Sequence, residues 1–130
     1  KDLGLSNKVK FAGLVSHDEK LTLLKSAKLF SLTSKSDVYP VAVQEALAMG
    51  IPVVVSKESD YPEVQEYKAG ILVNLDFKEI SRAFEELLLD EDKLKIFSNN
   101  AKKLIKENFL VEDQIKKFEI IYNEILSKNK

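Results

Sequence analysis

Short apolar runs alternate with amphipathic stretches through the first half of the chain, and the second half is amphipathic throughout. The apolar runs are only four or five residues long and predict four strands, at residues 9–12, 28–32, 52–55 and 70–73. Helical spacing of apolar residues between them predicts helices at residues 17–27 and 41–49, and a short one at 62–67. Helices that alternate with strands indicate right-handed crossovers between parallel strands, and therefore a layered α/β fold.

Local signals mark the ends of the two longer helices. Ser16 is placed to cap the first, with Glu19 three residues later as its capping-box partner. Pro40 stands at the first turn of the second helix and Gly50 just past its end, which is the usual asymmetry.

From Asp76 onward the spacing predicts three amphipathic helices and no strand. The last of these carries an apolar stripe of Ile115, Phe118, Ile121, Tyr122 and Ile125. The expected architecture is one domain with a Rossmann-like parallel sheet, flanking helices and a helical C-terminal tail.

Composition removes several classes of function. The chain of 130 residues is 45% hydrophobic and 32% charged, as expected for one globular domain with a real core. A formal net charge of −1 gives no field that favours nucleic acid or an anionic membrane. The absence of cysteine and the single histidine predict no disulfide and no metal site. No apolar run approaches the roughly 20 residues that span a bilayer, and no signal peptide opens the sequence, so the expected location is cytoplasmic.

Two carboxylates mark the best candidate site. Asp37 follows the second predicted strand, and Glu45 lies eight positions later in the next predicted helix. In parallel α/β sheets the loop after a strand and the start of the next helix are where ligands bind. Acids in these two places can hold the hydroxyls of a sugar.

These residues belong to a longer pattern. It comprises Leu3-Gly4-Leu5, residues 9–15, Asp37, the run Glu45-Ala46-Leu47-Ala48-Met49-Gly50-Ile51-Pro52-Val53-Val54, then Tyr61-Pro62-Glu63-Val64 and residues 70–73. In this order and spacing the chain resembles the C-terminal, nucleotide-sugar-binding domain of retaining GT-B glycosyltransferases of the group 1 type. The resemblance covers nearly the whole chain and implies a hexosyltransferase-like enzyme whose donor substrate is a nucleotide-diphosphate sugar, with no cofactor.

The resemblance also implies a role for each matching position. Asp37 would contact the donor sugar and Glu45 the ribose hydroxyls. The loop over the sugar and diphosphate would be Val38, Tyr39 and Pro40, and the phosphate-facing helix amides would be those of Val41, Ala42 and Val43. The base would lie near Gly13, Leu14 and Val15.

Two departures from the family pattern affect these expectations. The family has Glu-Gly-Phe-Gly where this chain has Asp37-Val38-Tyr39-Pro40, so the loop glycines and one amide donor are gone. The family's domain also begins with two further strand–helix units, and an acceptor-binding N-terminal domain precedes it. The resemblance therefore implies a fragment without turnover of its own. Its segment 109–130 would pack on the absent N-terminal domain, and in the full-length protein peripheral membrane association stays open.

The missing units would leave a bare strand edge at residues 28–32. We expect either direct pairing with residues 9–12 or an oligomer formed through that edge, because unpaired edges recruit other strands.

Alternatives stay open at the level of function. A non-catalytic nucleotide-sugar-binding module or scaffold is favoured by the altered loop. A receiver-like domain would need an acidic cluster at a strand end, which the sequence lacks, and a nucleotide-sugar epimerase would share the fold.

Alternatives also stay open at single residues. Asp37 could serve only as a loop or cap residue, and Glu45 as a solvated face of its helix. Tyr39 could stack on a sugar or pack against the protein. Structural roles are favoured for Glu63, as a helix cap, and for the remaining candidates His17, Lys35 and Lys57, as solvated surface groups.

Overall fold

Helices and strands alternate up to residue 73 and helices alone follow, as the hydrophobic pattern predicts. The computed structural model describes residues 4–37 and 39–128. In chain order the elements are α1 (His17–Ser26), β1 (Phe30–Leu32), α2 (Val41–Ala48), β2 (Val53–Ser56), α3 (Glu63–Glu66), β3 (Gly70–Val73), α4 (Phe77–Leu88), α5 (Glu91–Asn108) and α6 (Val111–Lys128), with a 3₁₀ turn at Lys57–Ser59.

The sheet is parallel and β2 lies at its centre. Val53 pairs with Phe30 of β1 on one side and with Gly70 of β3 on the other. All four residues of β2 are buried, as expected for a strand that is covered by helices on both faces.

Alternate side chains of β2 enter two separate cores, because successive strand residues point to opposite faces. Val53 and Val55 pack with Leu47 of α2 and Leu104 of α5. Val54 packs on the other face in a cluster of Val73, Ala83, Leu87 and Phe97. The two layers of helices therefore fix β2 and its carboxyl end in place.

The predicted helix ends are confirmed. Ser16 Oγ accepts a hydrogen bond from the Glu19 amide at 3.3 Å, and the Glu19 carboxylate accepts one from the Ser16 amide at 2.8 Å. The bond from the Ser16 amide is the main cause that lowers the pKa of Glu19. Pro40 occupies the N-cap position of α2 without a side-chain capping bond, and Gly50 follows the helix end with a φ of 77°, which a glycine adopts without strain.

The prediction of a strand at residues 9–12 is wrong. Within the described part of the chain the sheet has three strands, and residues 9–12 form none. Val9 and Phe11 are 51% and 94% exposed. A strand needs a neighbour for its backbone N–H and C=O groups, and this segment has none in the sheet. Direct pairing with residues 28–32 is therefore excluded, and an oligomer through the edge of β1 stays a prediction.

The last helix presents a broad apolar surface. The five side chains of the predicted stripe are each at least half exposed: Ile115 52%, Phe118 57%, Ile121 50%, Tyr122 63% and Ile125 51%. Phe109, which precedes α6, packs instead against the core of this chain. That α6 packs on an N-terminal domain stays a prediction.

Candidate functional site

The loop of residues 33–40 leaves β1 at the edge where the carboxyl ends of the parallel strands meet. Ser56, the last residue of β2, anchors this loop. Its hydroxyl donates to the carbonyl oxygen of Ser34 at 2.6 Å and lies 3.3 Å from the hydroxyl oxygen of Ser59. Ser56 and Ser59 are completely buried. The start of the loop is therefore fixed to the neighbouring strand.

Replacing Ser56 with Ala should lower the free energy of unfolding by about 1–3 kcal/mol, because it removes a donor from a part-buried carbonyl and isolates a buried hydroxyl. Urea unfolding measures the change. Ser31→Ala, at an exposed position of β1, is the matched control and should change stability by less than about 0.5 kcal/mol. Equal losses in both variants would contradict the anchoring role.

The acid pair occupies the predicted places in one strand–loop–helix unit. Asp37 is half-buried on the loop, and Glu45 is half-buried about one turn into α2, which begins at Val41. That the two carboxylates serve one ligand stays a prediction.

Glu45 has a partner that sequence reasoning missed. Lys20 Nζ of α1 donates to Glu45 Oε1 at 2.7 Å, and the two side chains are only 38% and 28% exposed. The pair holds the carboxylate in one orientation while its other oxygen still carries acceptor lone pairs. No spacing rule links residues 25 positions apart on two helices, so only the packing of α1 beside α2 could reveal this contact.

Tyr39 turns into the protein. Its ring centroid lies 4.8 Å from that of Tyr61 and 6.0 Å from that of Phe109. Its hydroxyl donates to Glu63 Oε1 at 2.8 Å, and this bond is the first cause that raises the pKa of Tyr39. Of the two readings of Tyr39, packing against the protein is the one the geometry supports.

The residues behind Tyr39 are buried and only partly hydrogen-bonded. Tyr61 is 1% exposed, and burial raises the pKa of its phenol, which therefore stays neutral. Among the described residues its hydroxyl and Glu63 Oε2 have no hydrogen-bond partner. Glu63 was expected to cap its short helix, but Pro62 is the N-cap residue and no side-chain capping bond forms. The carboxylate of Glu63 accepts the hydrogen bond of the Tyr39 hydroxyl instead.

Among the described residues, two amides at the start of α2 rather than three have no hydrogen-bond partner. The amide of Val43 donates to the Pro40 carbonyl at 3.0 Å. Val41 and Ala42 are the first two residues of the helix, where amides have no intrahelical partner, and both are exposed. Val38, which was expected to cover the ligand, lies outside the described residues.

The remaining candidates lie at or near the surface, and those expected near the base precede α1. Leu14 is fully exposed, and Gly13 has a φ of 69°. Val15 lines a groove of about 420 Å³ between the preceding segment and α1. His17, Lys35 and Lys57 are exposed. Another groove, of about 750 Å³, lies beside the edge of β3, away from the acid pair.

Across residues 4–37 and 39–128, no group of three His, Cys, Asp or Glu side chains is arranged to hold a metal ion. None of the helices described is long and apolar enough to cross a membrane.

The family model described as "Glycosyl transferases group 1" matches residues 1–104, which is most of the chain and includes the loop, α2 and the acid pair. The chain belongs to the group 1 glycosyltransferases. The family resemblance drawn from the sequence motifs is therefore confirmed.

This glycosyltransferase chain is similar to parts of longer curated proteins. N-acetyl-alpha-D-glucosaminyl L-malate synthase of Bacillus anthracis is 27% identical over 132 residues, a match that covers 100% of this chain and 34% of that protein. An uncharacterized glycosyltransferase of Methanocaldococcus jannaschii is 33% identical over 111 residues, or 82% of this chain and 28% of that protein.

A solved structure shares the fold of this glycosyltransferase chain. Sucrose-phosphate synthase from Thermosynechococcus elongatus matches with a TM-score of 0.80 at 21% identity, over 96% of this chain and 32% of that protein. The predicted Rossmann-like architecture of the GT-B type is thereby confirmed. The chain spans about a third of the length of the relatives that it matches.

Proposed function

We propose that this chain is the donor-binding part of a longer glycosyltransferase, which transfers a sugar from a nucleotide-diphosphate sugar to a glycan, lipid or other acceptor. The observation that carries the proposal is Glu45. It is half-buried, oriented by Lys20 and set on the helix that follows the loop of Asp37.

Glu45 suits a ribose. An ionised carboxylate accepts hydrogen bonds at both oxygens, and adjacent hydroxyls of a ribose present two donors side by side. Because Lys20 reaches Oε1 from α1, a bound ribose would meet a carboxylate that is already oriented. The ribose would share or take the place of that ion pair.

The start of α2 suits a diphosphate. Val41 and Ala42 present free amides at the positive end of a helix, which is a general site for phosphate groups. Asp37, on the loop that leads into this helix, would then lie beside the sugar on the far side of the diphosphate.

Such an arrangement would act by position and charge. Glycosyl transfer needs the donor held in a reactive geometry and the leaving diphosphate stabilised as its charge develops. The residues named here would supply the donor contacts. The acceptor would be bound elsewhere in the longer protein.

A non-catalytic nucleotide-sugar-binding module is the second candidate. The observation in its favour is the loop, in which Pro40 lacks an amide donor and the ring of Tyr39 packs against Tyr61. Such a module would bind the donor without transferring or hydrolysing it.

Calorimetric titration of the full-length protein tests the proposal. UDP-glucose, UDP-N-acetylglucosamine, GDP-mannose and ADP-glucose, each with its free nucleoside diphosphate, form a suitable panel. We expect saturable binding of at least one sugar nucleotide, and slow release of nucleoside diphosphate from it. Binding without release would favour the module, and no binding to the panel would contradict donor binding.

A further inference from the structure

Tyr39 is held on three sides. Its ring lies against Tyr61 and Phe109, which are themselves in contact with a centroid distance of 5.6 Å. Its hydroxyl is held by Glu63 at 2.8 Å, and its amide donates to the Ser59 carbonyl at 3.4 Å. Two segments far apart in sequence, residues 59–63 and the region of Phe109, therefore converge on one loop residue.

The backbone of Tyr39 needs this support. Its φ is 49°, a left-handed conformation that residues other than glycine rarely adopt. Strained backbone persists only where the surroundings hold it, and it is often found at ligand sites. The ring contacts and the bond to Glu63 are what hold Tyr39 in this conformation.

We propose that Tyr39, anchored by Glu63 and packed against Tyr61 and Phe109, is the positioning residue that places Asp37 for contact with the donor sugar. The inference rests on the proposed function, since it concerns how the same site receives its ligand. Tyr39 is proposed to touch no substrate and to act on Asp37, which lies two residues earlier in the chain.

The proposal predicts different effects on the binding of the sugar and on the binding of the nucleoside diphosphate. Asp37 lies on the loop that Tyr39 holds, whereas Glu45 lies on α2 and is oriented by Lys20. A displacement of about 1 Å in a group that contacts the ligand can remove much of the contribution of that group. Loosening Tyr39 should therefore weaken contacts with the sugar and leave contacts with the nucleoside diphosphate intact.

Tyr39→Phe in the full-length protein makes this test, because it keeps the ring and removes only the hydroxyl. Calorimetry with the sugar nucleotide of the panel that binds the unchanged protein, and with its free nucleoside diphosphate, gives two dissociation constants. We expect the first to rise roughly tenfold and the second to change less than about twofold.

Control variants at Tyr67 and Glu63 test whether the effect depends on the hydrogen bond between Tyr39 and Glu63. Tyr67→Phe removes a hydroxyl that also donates to a glutamate, Glu107 Oε2 at 3.0 Å, on the surface of α5, and both affinities should be unchanged. Glu63→Gln keeps an acceptor for Tyr39 and should retain most of the sugar-nucleotide affinity, whereas Glu63→Leu should lose it as Tyr39→Phe does.

Two results would overturn the inference alone: unchanged affinity for the sugar nucleotide in Tyr39→Phe, or a parallel loss for both ligands. Failure of the unchanged protein to bind any sugar nucleotide of the panel would overturn the proposed function, and this inference with it.

Discussion

Replacing Glu45 with Gln should lower the affinity of the full-length protein for its nucleotide-sugar donor by roughly tenfold or more. The substitution keeps the shape of the side chain and removes the charge, and hydrogen bonds to a charged acceptor are worth about 1.5–3 kcal/mol. Calorimetric titration of the sugar nucleotide measures the loss. Its free nucleoside diphosphate should lose affinity equally, because the contact is with the ribose.

The control variant for Glu45→Gln changes Lys20, the ion-pair partner of Glu45. Lys20→Gln breaks the same ion pair and leaves the carboxylate in place, so donor affinity should fall only about threefold, the small contribution of a part-exposed pair that orients the carboxylate. Thermal unfolding should move little in either variant. Donor affinity of Glu45→Gln equal to that of the unchanged protein would remove the residue on which the proposed function most depends.

A second large effect is expected in the sheet. Gly70→Ala would place a Cβ atom 2.1 Å from the backbone oxygen of Val53 and 2.8 Å from Cγ1 of Val64. A backbone oxygen cannot give way without opening the β2–β3 ladder. We expect a loss of about 3 kcal/mol, the upper part of the range for overpacking, measured as the free energy of unfolding in urea.

Gly13 provides the contrast for that experiment. A Cβ atom there meets nothing within 4 Å, but the φ of 69° is left-handed, so Gly13→Ala should cost only about 1–2 kcal/mol. If the two variants were equally stable, close approach at Gly70 would not be the reason for glycine at that position.

The sequence predicted best where the signal is local. The capping box at Ser16 and Glu19 marked the start of α1, and strand β3 was predicted at the bounds that the structure shows, Gly70–Val73. The strand at residues 9–12 was wrong, because an apolar run becomes a strand only when a neighbour pairs with its backbone. Nothing in the run itself reports whether that neighbour is present.

The sequence predicted which elements carry the site residues, but not which side chains contact them. The motif pattern placed Asp37 on a loop and Glu45 one turn into a helix, as observed. The Lys20–Glu45 pair and the Tyr39–Glu63 bond join residues that only the packing of separate elements brings together. Their roles in ligand binding stay predictions.

The parallel order of the sheet has a consequence for how the chain reaches its native state. No two neighbouring strands are joined by a hairpin, since a helix and its loops separate Phe30 from Val53, and Val53 from Gly70. Each ladder must therefore close a long loop before it gains hydrogen bonds, which slows folding compared with a helical bundle. The helices after residue 76 form from hydrogen bonds between near neighbours in sequence and can begin to form before they pack on the sheet. The central strand, and with it the Ser56 anchor of the loop, should be among the last parts to become ordered.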